Sequence, residues 1–259
     1  MLHPFSLFPL GDSALTVEFG GEMSEETSSK VYLFWHKLML ANLKGILDIV
    51  PGYTTLTIHF DPLHPVDPNI LLGQDFQDFS DGQDFTSQDR SYFSASPHSK
   101  RRSNLPDEDS GHLETPLPLA PSGSGIIEIP VCYSPRFAPD LPALSKVTGL
   151  SVNEIIHLHT TRSYRVYMLG FLPGFAYMGE VDARIAIGRK PAPTPVLAGS
   201  VGIAGKQTGI YPCNSPGGWQ IIGRTPVSLF HPDRKPLTLL FPGDSVKFVS
   251  ITEDEFENH

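Results

Sequence analysis

Ala198-Gly199-Ser200-Val201-Gly202-Ile203-Ala204-Gly205-Lys206-Gln207-Thr208-Gly209-Ile210-Tyr211-Pro212 decides the fold class. Glycine breaks every apolar run in it after a few residues. The same texture holds in Gly170-Phe171-Leu172-Pro173-Gly174-Phe175-Ala176-Tyr177-Met178-Gly179 and in Ser215-Pro216-Gly217-Gly218-Trp219-Gln220-Ile221-Ile222-Gly223-Arg224-Thr225-Pro226. Glycine is costly inside strands because it brings no side chain to pack. Its density implies tight turns or close approach by a ligand or another backbone. The runs Val201 to Ala204, Trp219 to Ile222, Val227 to Phe230, Leu237 to Phe241 and Val246 to Ile251 read as short strands, with a turn at Pro242-Gly243-Asp244. Many short strands joined by Gly/Pro turns predict a closed β-barrel or sandwich.

Upstream, Ile127, Ile129 and Val131 alternate as a strand, and Tyr164 to Leu169 reads as another. A short helix is expected over Asp140 to Thr148, ended by Gly149. Ser151-Val152-Asn153-Glu154 fits a capping box and opens a helix through about His159. This β-rich domain therefore runs from 126 to 259.

The first 73 residues form a different unit. Leu15, Val17 and Phe19 alternate with polar residues, as in a half-buried strand. Ser24 before Glu25 and Glu26 is a helix start, and Val31, Phe34, Trp35 and Leu38 follow at helical spacing. Gly45 is the expected end of that helix. Ile46 to Val50 and then Leu56, Ile58 and Phe60 give further strands, and Ile70 to Leu72 begins a second helix. Residues 1–73 thus form a small α/β domain, and the fold class of the whole chain is α+β.

Between the two lies 74–125, dense in Gln, Asp, Ser and Pro. Gly73-Gln74-Asp75-Phe76 recurs as Gly82-Gln83-Asp84-Phe85. Such a segment buries too little apolar area to offset its ordering entropy, so a disordered polar linker is expected. Lys100-Arg101-Arg102 within it reads as a solvated charge cluster.

Composition narrows the function. Of 259 residues, 28 are acidic and 19 basic, for a net charge of −9. That balance opposes nucleic-acid binding, which needs clustered Lys and Arg. Cys132 and Cys213 form no CxxC pair, so a structural zinc site is not expected, and no residue of the chain is singled out as a metal ligand. The N-terminus lacks a signal-peptide pattern, and no apolar run approaches the roughly 18 residues of a membrane span. A cytoplasmic protein with reduced thiols and no membrane or nucleic-acid partner is the expectation.

Generic enzyme signatures fail. Gly199 to Gln207 resembles a phosphate loop, but its spacing is too long and Gln207 stands where Ser or Thr would hold magnesium. Ala198-Gly199-Ser200-Val201-Gly202 has alanine in place of the first glycine of a nucleophile elbow. His157 and His159 lie two apart, so they point to different sides of a helix and share no metal. His159 alone has the chemistry of a proton carrier, and a helix-end histidine is its plainer reading.

The three glycine-rich stretches, in this order, resemble the family that contains the smaller, cyclophilin-like subunit of 5-oxoprolinase, allophanate hydrolase subunit 1 and the sporulation-kinase inhibitor. Phe8-Pro9-Leu10-Gly11-Asp12-Ser13-Ala14-Leu15, Val50-Pro51-Gly52-Tyr53-Thr54-Thr55-Leu56, Ile129-Pro130-Val131-Cys132-Tyr133 and His159-Thr160 with Tyr164-Arg165-Val166-Tyr167 extend the match over most of the chain. The linker is longer and more polar than the family pattern. The resemblance implies a small α+β domain followed by a cyclophilin-like β-barrel. It also implies a second cyclophilin-like subunit and a third subunit as partners. The family complex opens 5-oxoproline to glutamate with ATP shared between subunits and with magnesium. In that frame His159 and Arg224 are the catalytic candidates. Arg189, Lys206, Gln207, Tyr211, Trp219 and Thr225 are the substrate- or nucleotide-binding candidates. The family's other activity, inhibition of a histidine kinase by docking on its dimerisation helices, is the alternative.

Overall fold

A computed structural model describes residues 5–21, 23–73 and 125–259, which fall into two compact units. The expected linker, 74–125, lies outside the described residues apart from Gly125.

The first unit contains β1 (Ser6–Pro9), β2 (Ala14–Glu18), helix α1 (Glu25–Ala41), β3 (Ile46–Pro51), β4 (Thr55–Phe60) and the short helix α2 (Pro68–Leu71). The strands form one antiparallel sheet in the order β1-β2-β4-β3. Leu15 and Val17 of β2 and Leu56 and Ile58 of β4 face a core completed by Val31, Phe34, Trp35 and Leu38 of α1. Period two on the strands and three-to-four on the helix place these apolar groups on facing surfaces. Ser24 starts α1 as expected, its hydroxyl accepting from the Thr27 N–H. The helix ends earlier than expected, at Asn42 with φ 44° and ψ 48°, because asparagine tolerates the left-handed cap. Gly45 serves another purpose: a Cβ there would collide with the His64 carbonyl oxygen.

The second unit contains β5 (Ile126–Cys132), helix α3 (Leu141–Thr148), helix α4 (Val152–Thr160), β6 (Ser163–Leu169), β7 (Ala176–Gly179), β8 (Thr194–Val196), β9 (Ser200–Ala204), β10 (Gln207–Ile210), β11 (Ser215–Gly217), β12 (Gln220–Arg224), β13 (Ser245–Ile251) and helix α5 (Glu253–Glu257). Seven of these strands close a barrel in the order β10-β7-β6-β13-β5-β12-β9. Closure removes the exposed edges that a sheet of short strands would otherwise present. Only β13 and β5 pair in parallel; β8 and β11 form a separate two-stranded ribbon. Ile127, Ile129, Val131, Val166, Met178, Ile203, Ile210 and Val246 fill the barrel. Both halves of the Ser151/Glu154 capping box form, and Gly149 closes α3 at φ 73°.

Two expected strands are absent. Val227–Phe230 and Leu237–Phe241 touch at the single bridge Phe230↔Thr238 and at the Leu239 N–H to Leu229 O bond of 2.8 Å. Pro226, Pro232, Pro236 and Pro242 bracket these runs and remove the donors a ladder needs. Their apolar side chains Val227, Leu229, Leu239 and Leu240 still join the barrel core. Among the described residues, no helix is long and apolar enough to cross a membrane.

Candidate functional site

The glycines of the β-rich half resolve into a packing device. Along β9 and β10, Val201, Ile203, Thr208 and Ile210 point into the barrel, which turns Gly202 and Gly209 outward. A Cβ on Gly209 would lie 3.1 Å from the Phe175 ring, and one on Gly202 would lie 3.1 Å from the Trp219 Cβ. A Cβ on Gly217 would lie 2.7 Å from two ring carbons of Tyr211. At Gly209 and Gly217, aromatic rings therefore lie directly against bare backbone, as cross-strand rings do over sheet glycines.

The rings form a second apolar cluster outside the barrel, with Val196, Ala204 and Ile221. Phe175 meets Tyr211 edge-on at 5.1 Å and Trp219 at 5.3 Å, and Tyr177 lies 4.7 Å from Phe175 and 5.8 Å from Trp219. These are favourable aromatic geometries. Phe171 stands at the rim, 5.7 Å from Phe175, with φ 67° and 62% of its surface exposed. A bulky residue in the left-handed region costs backbone energy, and here the exposed ring gains little burial in return.

Beside the cluster, residues 188–190 are pinned from both sides. The Gln220 amide donates to Gly188 O at 3.1 Å, and the Lys190 N–H donates to Gly218 O at 2.7 Å. Lys190 Nζ lies 2.6 Å from Asp140 Oδ2, and the same oxygen accepts the Ile221 N–H at 2.6 Å. Arg189, between the pinned neighbours, is exposed. Its charge acts on both phenols: burial raises the pKa of Tyr177 and of Tyr211, and Arg189 opposes that shift at each. The Trp219 backbone also bonds to the Tyr211 hydroxyl.

The expected site residues thus separate. Arg189, Tyr211 and Trp219 come together at this aromatic shelf. Gln207 opens β10, paired across the sheet with Gly179 and Ala204. Lys206, in the turn before it, is exposed and lies 3.7 Å from Glu180. Arg224 and Thr225 belong to another corner. Arg224 Nε donates to Ala198 O at 2.8 Å, and its guanidinium lies 5.8 Å above the Phe256 ring of α5. The Thr225 hydroxyl accepts the Val227 N–H at 3.2 Å.

His159 is fully buried under the barrel wall. Its ring stacks on Phe248 at 4.5 Å, its Nδ1 lies 2.8 Å from the Tyr133 hydroxyl and its Nε2 lies 2.9 Å from the Thr208 hydroxyl. Burial lowers its pKa to about 3, so it is neutral at physiological pH. Neither a neutral-pH proton carrier nor a charged helix-end histidine describes this side chain.

Sequence reasoning missed Phe171, Tyr177 and the Asp140–Lys190 pair. The first two were visible in Gly170–Gly179 as aromatics among glycines. The pair joins residues fifty positions apart and left no local signal. Among the described residues, no cluster of three or more His, Cys, Asp or Glu could hold a metal ion.

An α+β unit followed by a closed barrel with an aromatic outer shelf is the architecture of a carboxyltransferase-type protein with a cyclophilin-like barrel. The chain belongs to the family described as carboxyltransferase domain, subdomain C and D, whose model matches residues 5–240. It is 38% identical to a 5-oxoprolinase subunit of Bacillus subtilis (strain 168) over 253 residues, 97% of this chain and 95% of that protein. The protein of the same name in Escherichia coli O157:H7 is 48% identical over 131 residues, 50% of this chain and 60% of that one. Among solved structures, that of TTHA0988 superposes with TM-score 0.67 at 32% identity, covering 92% of this chain. This chain spans only 40% of the TTHA0988 chain.

Proposed function

We propose that this chain is a subunit of a cytoplasmic ATP-dependent 5-oxoprolinase that opens 5-oxo-L-proline to L-glutamate, and that it acts only with its partner subunits. The observation that carries this reading is the match to the Bacillus subtilis protein over 97% of the chain, which takes in both units.

A lactam is resonance-stabilised, and ATP supplies the free energy that its opening requires. Three of the described helix N-termini are poorly suited to the phosphates of a nucleotide. The N-termini of α1, α4 and α5 are closed by their own Ser24, Ser151 and Thr252 hydroxyls, and all three carry acids in the first turn. Such ends repel phosphate rather than cradle it. Lys206 faces Glu180. In this reading the nucleotide and its magnesium are held by the second cyclophilin-like subunit and the third subunit.

What this chain contributes is the shelf. Tyr177 and Phe171, backed by the buried Trp219, give an apolar wall, and Arg189 gives a positive charge beside it. Binding energy at such a surface orients a small substrate for chemistry completed by a partner.

The test is glutamate release from 5-oxoproline in the presence of ATP, with this chain alone and then with its partner subunits. Release is expected only from the mixture. A mixture that assembles and releases none would sink the reading.

A further inference from the structure

We infer that Arg189, Tyr177 and Phe171 form a subsite for a small carboxylate attached to a compact ring, with the guanidinium gripping the carboxylate and the two aromatic rings flanking the ring's apolar body. This inference rests on the oxoprolinase reading and names the part of the chain that meets its substrate.

Three observations converge on it. The first is the anchoring of Arg189. Gly188 and Lys190 are held by Gln220, Gly218 and Asp140, so the backbone that carries Arg189 is fixed while its side chain is exposed. A guanidinium on a fixed backbone loses less freedom on binding, and its planar fork matches a carboxylate in bidentate fashion. The second is charge. Lys190 is engaged with Asp140, and Lys206 faces Glu180, so Arg189 is the exposed cation beside the shelf without an acidic partner among the described residues. A Cβ on Gly218 would lie 3.9 Å from the Arg189 Cβ, and the next residue, Trp219, has its ring 5.8 Å from Tyr177, which places Arg189 beside the aromatic wall. The third is Phe171. Its backbone sits at φ 67° while 62% of the residue stays exposed, a costly way to place an aromatic ring that the core does not need. Phe171 and Tyr177 both pack on Phe175, at 5.7 and 4.7 Å, and a ligand ring laid against this margin of the cluster gives the placement of Phe171 a use.

The probes are 5-oxo-L-proline and 2-pyrrolidinone, the same lactam ring without the carboxylate. Saturation-transfer NMR titrations on the full chain and on the assembled complex compare the native protein with R189K, R189A and F171N. The native protein is expected to bind 5-oxoproline more tightly than 2-pyrrolidinone. R189A is expected to weaken 5-oxoproline by about 10- to 100-fold, the loss of a charge-assisted pair, and to leave 2-pyrrolidinone unchanged. R189K falls between, since it keeps charge without the fork. F171N is expected to weaken both probes together. Equal binding of both probes by the native protein, or 5-oxoproline affinity within twofold after R189A, overturns the inference even where the complex turns over. Absence of binding by chain and complex alike overturns it too. Arg189-dependent binding without glutamate release from the assembled complex would support the subsite and overturn the oxoprolinase reading alone.

Discussion

His159 Nε2 lies 2.9 Å from Thr208 Oγ1 inside the barrel, and the direction of this bond is fixed by the next one. The Thr208 hydroxyl gives its proton to Gly202 O at 3.1 Å, so it accepts from His159. The imidazole is therefore the Nε2–H tautomer. Its bare Nδ1 accepts the Tyr133 O–H across 2.8 Å. All three side chains are neutral and buried, and a proton added to the ring would lose its Tyr133 bond as well as its dry surroundings.

The pH dependence follows in sign. The folded pKa of His159 is lowered to about 3 from 6.5, so the unfolded chain binds the extra proton first. Stability is fully present above pH 6.5 and falls as pH drops through 6.5 toward 3, at about 1.4 kcal/mol per unit from this group. Urea denaturation at pH 7.5 and pH 5 should show the loss, and His159→Gln should shrink it. The imidazole resonances should hold their neutral shifts from pH 8 to pH 5. A His159 titration near pH 6.5 in the folded protein would contradict this assignment.

Gly217 and Tyr211 provide a packing test. Any Cβ at Gly217 would drive into the Tyr211 ring, which is also packed edge-on against Phe175 at 5.1 Å. Gly217→Ala should cost about 1–3 kcal/mol in chemical denaturation, the range for overpacking a fixed core. Gly21→Ala, in a site with open space around it, should cost far less. Equal losses at the two positions would mean that the Tyr211 ring yields freely.

These glycines also show what the sequence made legible. Their density predicted a closed barrel or a sandwich, and a closed barrel is there, because strand length and turn chemistry are local properties. Their purpose was open between turning corners and admitting a ligand. Gly202, Gly209 and Gly217 each accommodate an aromatic side chain, brought in from elsewhere in the barrel domain at Gly202 and Gly209 and from the neighbouring strand end at Gly217. The same limit separates Arg189, Tyr211 and Trp219, which converge, from Arg224 and Thr225, which brace the Ala198–Ser200 turn. All but Arg189 stood in the glycine-rich stretches, and only tertiary register sorts them. Helix starts were easier to read, since Ser151 and Glu154 meet within one turn.

Asp140 tests the anchoring of Arg189. One carboxylate oxygen, Oδ2, accepts from both Lys190 and the Ile221 N–H, and the pair's side chains are only 18% and 19% exposed. Asp140→Ala should cost about 1–3 kcal/mol, because it leaves a backbone donor and an ammonium without their acceptor. Asp140→Asn retains an acceptor for Ile221 and should cost less. In the assembled enzyme, Asp140→Ala should raise KM for 5-oxoproline more than it lowers kcat, as expected of a residue that positions Arg189. An effect on kcat alone would point to a role in the chemistry instead.

Phe171 separates the demands of folding from those of function. Its left-handed backbone favours Gly or Asn, and its exposed ring lies at the margin of the cluster, 6.5 Å from Tyr211. The fold alone would select a small residue here. Phe171→Asn keeps the backbone conformation, removes the ring and should leave stability within about 1 kcal/mol of the native protein. If the ring serves binding, the same change should raise KM for 5-oxoproline by about tenfold, the scale of one aromatic contact. A fall in thermal stability with KM unchanged would make Phe171 a packing residue. A stable variant with raised KM would show that the strain at this position is tolerated for the sake of the ligand.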